Sequence, residues 1–223
     1  RIYINDNAGK SSKFAYCHIS GAEKAIEVYY NKVSVDNCVI KDCSVNGVYL
    51  NNSEFGSFTA NTISDCEEYP LVIPFLQATA VTSDNEINGI GICLTGENVG
   101  KKNGKVTVHE QTIPYVFGNG QWCFEINDNA EVTIEPGVTI AMPEDCFIRV
   151  GYYTSGKLTA VGTEEKPITF TSNLTDKAAG DWQGIYFDQY SSKSSALKNC
   201  HIEYAGGGDN GAVYVYYTAV AID

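Results

Sequence analysis

Cys17-His18-Ile19-Ser20-Gly21-Ala22-Glu23-Lys24-Ala25-Ile26-Glu27-Val28-Tyr29-Tyr30-Asn31-Lys32-Val33-Ser34-Val35-Asp36-Asn37-Cys38-Val39-Ile40 opens and closes on Cys-x-Ile. Between the two copies stand two further alternating runs, Ile26/Val28 and Val33/Val35. Period-2 alternation puts such pairs on one face of a strand. One repeat therefore holds three short strands. The motif returns as Asn61-Thr62-Ile63 and Asn85-Glu86-Ile87, so that Ile19, Ile40, Ile63 and Ile87 mark a slightly variable period. Each is followed by its own second run, Val48/Leu50, Leu71/Ile73 and Ile92/Leu94, and Phe55/Phe58 supplies another third run. A repeat of this length cannot bury its inward face alone. Stacked at ~4.8 Å, each strand pairs with its equivalents above and below and the inward faces merge into one core. The reading is all-β: a right-handed parallel β-helix, a solenoid of 21–24-residue coils with three short strands per coil.

Several placements follow from the register. Cys17, Cys38, Asn61 and Asn85 should form one internal ladder and Ile19, Ile40, Ile63 and Ile87 the next. The asparagines are acceptable inside because their amides can bond along the stack. Cys43 should face Cys66, and Cys123-Phe124 and Cys146-Phe147, separated by one coil period, should bring Cys123 over Cys146. Parallel side chains have the wrong mutual orientation for an easy bridge, so free, buried thiols are expected.

A longer repeat lies over the short one. Ile2-Tyr3-Ile4, Lys10-Ser11-Ser12 and Cys17-His18-Ile19 return, all at one common offset, as Ile185-Tyr186-Phe187, Lys193-Ser194-Ser195 and Cys200-His201-Ile202. The match resumes at a slightly larger offset from Ala25 and Ala212, so the turn Gly206–Gly211 has lengthened in the second copy. Residues 95–105 are rich in Gly and Lys and interrupt the pattern. The expected organisation is residues 1–104 as the latter coils of one module and 105–223 as the opening coils of a homologous one, in a continuous solenoid. Arg1 in place of an initiator Met suggests a segment of a longer protein. Its outermost coils would then offer strand edges for end-to-end contacts.

A formal net charge of −12, with Arg1 and Arg149 the only arginines, gives no basic stripe for nucleic acid or an anionic membrane surface. No apolar run is long enough to span a bilayer. Eight cysteines occur without a CxxC, and three histidines leave a His-based metal centre without material. No cofactor and no metal are expected.

Four further segments carry a family likeness: Glu131–Ile140, Gly156–Thr163 with Pro167–Ser172, Asp181–Phe187 and Leu197–Gly206. They resemble the right-handed β-helix modules of secreted and surface-attached bacterial proteins in the pectin-lyase-like superfamily. The resemblance implies export to the periplasm or cell surface. It leaves activity open, because polysaccharide lyases, glycoside hydrolases and inert adhesins share the fold.

A lyase needs a Lys or Arg base and clustered acids for Ca²⁺. The outward rows His18, Val39, Thr62, Glu86 and Glu27, Tyr49, Val72, Cys93 gather neither, and Arg149 stands alone in the sequence. A glycosidase needs two carboxyls roughly 5–9.5 Å apart. Asp42 and Asp65 share a turn position but suit a solvated turn better. His18 and His201 read as outward strand residues repeated by duplication, and Gly206–Gly211 as a lengthened turn. Asn51-Asn52-Ser53 and Asn173-Leu174-Thr175 match the glycosylation pattern, a weak signal by itself.

The remaining signal is aromatic. Tyr29-Tyr30, Tyr152-Tyr153 and Tyr216-Tyr217 must each send one ring outward if they lie on strands, where neighbours face opposite ways. An outward Tyr can stack on a sugar ring and bond its rim. These six are the candidate ligand-binding residues, with glycans as the partner. The expected function is a non-catalytic extracellular binding or scaffold module; the alternatives are part of a polysaccharide lyase or glycoside hydrolase, and a plain spacer.

Overall fold

The computed structural model describes residues 1–5, 11–96, 104–118 and 123–223. Lys10 of the repeated Lys-Ser-Ser, most of the expected module boundary (97–103), and Trp122 lie outside them. The fold is an all-β solenoid of parallel strands, with about nine turns of about 24 residues in its two compact units together.

The first unit comprises Arg1–Thr95 with Gln111–Tyr115. One sheet stacks Ile2–Asn5, Lys24–Tyr29, Asn46–Asn51, Leu71–Pro74 and Ile92–Thr95. A second stacks Ser12–Ala15, Lys32–Asp36 and Glu54–Thr59, and a third stacks His18–Ser20, Val39–Cys43, Thr62–Cys66 and Glu86–Ile87. The repeat spacing translates directly into register. Ile19 lies opposite Ile40, Ile40 opposite Ile63, and Ile63 opposite Ile87. Ile26, Val48, Leu71 and Ile92 form the equivalent row of the first sheet. Their removal from water drives the stacking at roughly 25 cal/mol per Å² of apolar surface.

The polar rungs are satisfied. Asn61 Oδ1 accepts the Cys38 N–H at 3.0 Å, and Asn61 Nδ2 donates to Val35 O at 2.7 Å and to Asn85 Oδ1 at 3.0 Å. Asn85 Nδ2 in turn donates to Phe58 O at 3.1 Å. Each amide therefore completes the backbone bonding of the coil before it, at a corner where the strand ladder is interrupted. Cys43 faces Cys66, and all eight cysteines are free thiols.

Local exceptions have local causes. Phe55 and Phe58 both face inward, against strict alternation, because the register shifts there. Val33 pairs Phe55, Ser34 pairs Ser57 and Val35 pairs Phe58, so Gly56 is the extra residue of a bulge. A 3₁₀ helix, Phe75–Ala80, follows Leu71–Pro74 in a segment where the sequence offers no helical periodicity.

The second unit comprises Gly96–Glu110 with Val116–Asp223. Its sheets include Lys105–Val108, Ala130–Ile134, Gly156–Val161, Ala196–Lys198 and Ala221–Ile222 in one stack, and Thr139–Met142, Ile168–Ser172 and Cys200–Ile202 in another. The stack that matters most below is Cys123–Ile126, Phe147–Val150, Gly184–Phe187 and Val213–Val215. Trp182 is fully buried beside it and its indole N–H donates to Glu203 O at 2.8 Å.

One expectation is corrected in this unit. Cys123 lies opposite Phe147, not Cys146. The coil here is longer by a single residue than the cysteine spacing implies, and such a slip turns a side chain to the other face. Cys123 therefore packs with Phe147 and Tyr186, whereas Cys146 is buried one position earlier.

The two copies of the long repeat are used alike. Ile2 pairs Ile26, and Ile185 pairs Val213. The extra length of the second copy is taken up in the loop before Val213.

Candidate functional site

In the stack Cys123–Ile126, Phe147–Val150, Gly184–Phe187 and Val213–Val215, alternate residues point inward. Phe124, Ile148 and Ile185 form one buried row and Ile126, Val150 and Phe187 another. The outward row between them runs Glu125, Arg149, Tyr186, Tyr214, each beside its neighbour on the next strand. Arg149, which stands alone in the sequence, is here the centre of a cluster. Its guanidinium carbon lies 4.8 Å from the Phe147 ring centre, 4.3 Å from that of Tyr152 and 5.9 Å from that of Tyr186. Such contacts contribute ~0.5–1 kcal/mol each when exposed and more when desolvated.

The rings continue the surface. Phe147 stacks on Tyr186 at 5.4 Å, Tyr186 meets the edge of Tyr214 at 6.0 Å, and Tyr214 stacks on Tyr216 at 6.0 Å. Tyr153 packs edge-on to Tyr152, and Tyr217 edge-on to Tyr216, both at 4.4 Å. Four of the six tyrosines singled out from the sequence thus lie on or beside one aromatic face.

They reach it by a different route from the one expected. Tyr152 and Tyr153 follow the strand Phe147–Val150, and Tyr216 and Tyr217 follow Val213–Val215, so neither pair lies on a strand. Both rings of each pair project outward because they occupy the turn, with Tyr217 in the left-handed region at φ 50°. Tyr30 does the same at φ 49°; only Tyr29 belongs to a strand.

Acids frame the second-unit face. Asp188 is buried, with Oδ2 3.2 Å from Arg149 Nε. Burial pushes its carboxyl above the usual range, and the Arg149 charge opposes that rise. Glu125 accepts a hydrogen bond from Asn127 Nδ2 at 3.1 Å. Tyr186 Oη lies 3.4 Å from Gln183 Oε1. Its hydroxyl is held above the usual value mainly by burial, with the Arg149 charge opposing and the Asp209 charge adding to the rise. The lengthened loop Gly206–Gly211 thus belongs to this face. A Cβ on Gly208 would stand 2.7 Å from Tyr186 Oη, so the loop backbone rests on that hydroxyl only because the residue is glycine.

The first unit carries a smaller face of its own. Tyr3, Tyr29 and Tyr49 stand in a row with ring centres 5.6 and 6.1 Å apart. Glu27 between them is almost fully buried and pairs with Arg1 and with Lys24, whose Nζ is 3.1 Å away. Tyr29 donates to Glu27 at 3.1 Å, and the Tyr29 hydroxyl is pushed up first by burial and then by that carboxylate. Of the outward row that Glu27 begins, Val72 and Cys93 are also buried, so outward register is not the same as exposure.

The other candidates lie outside these two aromatic faces. Asp42 and Asp65 lie within the strands Val39–Cys43 and Thr62–Cys66, not at a turn, in matching register and at left-handed φ of 55° and 54°. Asp42 lies 3.7 Å from Lys41 Nζ and Asp65 accepts from Ser64 Oγ at 2.8 Å. His18 and His201 are exposed strand residues. Ser53, in the first glycosylation-like motif, is buried and donates to Asn51 O at 2.8 Å, whereas the segment at Asn173 is more open. Among the described residues, no three His, Cys, Asp or Glu gather closely enough to hold a metal ion, and no helix is long and apolar enough to cross a membrane.

Sequence reasoning missed Arg149, Asp188, Tyr186 and Tyr214 as a group. The legible signal was the alternation Phe147/Arg149 on one strand and Tyr186/Asp188 on the next. It fixes a shared face but not which coil lies above which.

Residues 100–189 match the family model described as a pectate-lyase like beta helix domain. No curated protein and no solved structure matches the chain. The match takes in Arg149, Tyr152, Tyr153, Tyr186 and Asp188, and with the parallel coil stack it is consistent with the pectin-lyase-like superfamily.

Proposed function

From a chain whose residues 100–189 match a pectate-lyase like β-helix domain, we propose a non-catalytic glycan-binding module of an exported protein. Its platform is the outer face on which Tyr152, Tyr214 and Tyr216 reach solvent, seated on the buried rings of Phe147 and Tyr186 beside Arg149. The observation that carries the reading is the exposure of Tyr152, Tyr153, Tyr216 and Tyr217 beside one continuous aromatic row. In that row the buried rings of Phe147 and Tyr186 support those of Tyr214 and Tyr216, the four following one another at 5.4 to 6.0 Å across three stacked strands and the turn that follows. A sugar ring offers an apolar C–H face to the exposed rings while its hydroxyls bond at the rim, and the exposed phenol hydroxyls and Glu125 supply that rim. Tyr153 and Tyr217 extend the platform, and Tyr29 with Tyr30 provide a separate patch in the first unit.

Binding without turnover is favoured because the acids of the face are engaged. Asp188 lies against Arg149, and Glu125 accepts from Asn127. The second reading, a carbohydrate-active enzyme, draws on the same family match.

The test is retention on a glycan array by the chain and by its Tyr152→Ala and Tyr216→Ala variants, with each lost ring expected to weaken binding about fivefold to tenfold. Undiminished binding by both variants would remove the platform from the reading. Release of reducing ends or unsaturated uronates from a polysaccharide panel would replace it with the enzyme.

A further inference from the structure

We infer that the aromatic face of the second unit selects uncharged glycans and turns away uronate-bearing ones. This rests on the glycan-binding reading above and goes beyond it to the class of sugar.

A carboxylate-bearing sugar needs a cation free to receive it. Arg and Lys answer that need by donating charge-assisted hydrogen bonds, and a bidentate Arg does so best. The cation that the contacts place on this face is Arg149, and its charge is already set against an acid. Its Nε is 3.2 Å from Asp188 Oδ2, and its guanidinium lies over the Phe147 and Tyr152 rings. Drawing it toward a ligand carboxylate would leave Asp188, a buried acid, without its counter-charge. A buried charge left unpaired is strongly destabilising, so the exchange is unfavourable.

The rest of the local charge has the wrong sign for a uronate. Glu125 stands beside Arg149 on the adjacent strand. Asp209, in the lengthened loop, lies close enough to the Tyr186 hydroxyl for its charge to add to the rise that burial causes there. With Asp188 that makes three carboxylates on or beside this face, on a chain of net charge −12. The same groups suit a neutral sugar. Carboxylates accept hydrogen bonds from hydroxyls, and the rings take the C–H face without any charge requirement.

The loop gives this selection a position. Gly208 sits against Tyr186 Oη and Gln183 Oε1, where an added Cβ would stand only 2.7 and 3.2 Å from those atoms. Asp209 is therefore carried to the edge of the ring row by the loop that distinguishes the second copy of the long repeat from the first. Its side chain is exposed, so its charge can be removed without disturbing the core.

The experiment is titration calorimetry of the whole chain against neutral hexaoses (gluco-, xylo-, manno- and galacto-) and against hexagalacturonate and hexaglucuronate, in buffered salt of ~0.15 M, where exposed charges are screened beyond about 8 Å. The best neutral oligomer should bind about tenfold tighter than either acid, the scale of one like-charge contact at ~6 Å near a protein surface, inside that screening length. Asp209→Asn should narrow that ratio, and lowering the salt should widen it for the unmodified chain. Uronate binding as tight as the best neutral oligomer, and lost in Arg149→Gln, would overturn the selection while leaving the glycan platform in place. Binding to none of the probes, or neutral binding indifferent to Tyr152→Ala and Tyr216→Ala, would instead overturn the platform and the selection with it.

Discussion

Asn61 shows what one side chain does in this fold. Its amide accepts from the Cys38 N–H and donates both to Val35 O and to Asn85, so three coils meet in one carboxamide. Replacing it with Ala leaves a buried N–H and a buried C=O without partners, at a cost of about 1–3 kcal/mol for each group so stranded. Urea denaturation of Asn61→Ala should show a loss of at least that size, with the midpoint shifted and the slope unchanged. That role was legible in advance because Asn61 falls two positions before an inward isoleucine, and alternation fixes its face. The setting of Arg149 was not legible. Its partners Asp188, Tyr152 and Tyr186 come from a turn and from the following coil, and nothing within its own strand marks them.

At the scale of an element, strand pairing depends on how closely two backbones can approach. Gly184 has φ 140°, and a Cβ there would stand 2.5 Å from Ala212 O, against the strand Val213–Val215 that carries Tyr214. Gly211 also has a positive φ, 75°, but a Cβ there meets nothing within 4 Å. Gly211→Ala should therefore cost only the left-handed penalty of ~1–2 kcal/mol. Gly184→Ala should cost clearly more and should separate Tyr214 from Tyr186, which thermal melts and near-ultraviolet circular dichroism of the two variants would distinguish. The bulge at Gly56 makes the same point in reverse. Phe55 and Phe58 break strict alternation in the sequence, yet one unpaired glycine returns both rings to the core. Two of the three tyrosine pairs needed correcting at this scale too, because the strands Phe147–Val150 and Val213–Val215 end before Tyr152-Tyr153 and Tyr216-Tyr217 and leave both rings of each in the turn.

Across the whole chain the eight thiols provide a probe of how complete the stacking is. Burial pushes Cys66 and Cys146 up to about 12 and Cys93 and Cys200 up to about 11. A folded pKa above the unfolded one, about 9, means that the contribution of these thiols to stability is fully present below pH 9 and is lost as pH rises from 9 towards 12. The chain should accordingly lose stability in mild alkali. At roughly pH 8, below the pKa of an ordinary thiol, pulse alkylation with peptide mapping should leave these four cysteines largely unmodified until denaturant is added; rapid native labelling of Cys146 would contradict the packing of its coil. The sequence by itself determined the parallel coil, its period, the inward rows and the polar ladder, because a short repeat of three alternating strands allows only one way to bury every apolar stripe. The tertiary structure decided what the outer face carries. Stacking sets residues about one coil apart in the chain side by side, and a single added residue in a coil moves Cys123 from Cys146 to Phe147. The aromatic row, its captured arginine and the acid-bearing loop arise from that stacking, since side-chain proximity across coils depends on coil length and turn geometry that local patterning leaves open.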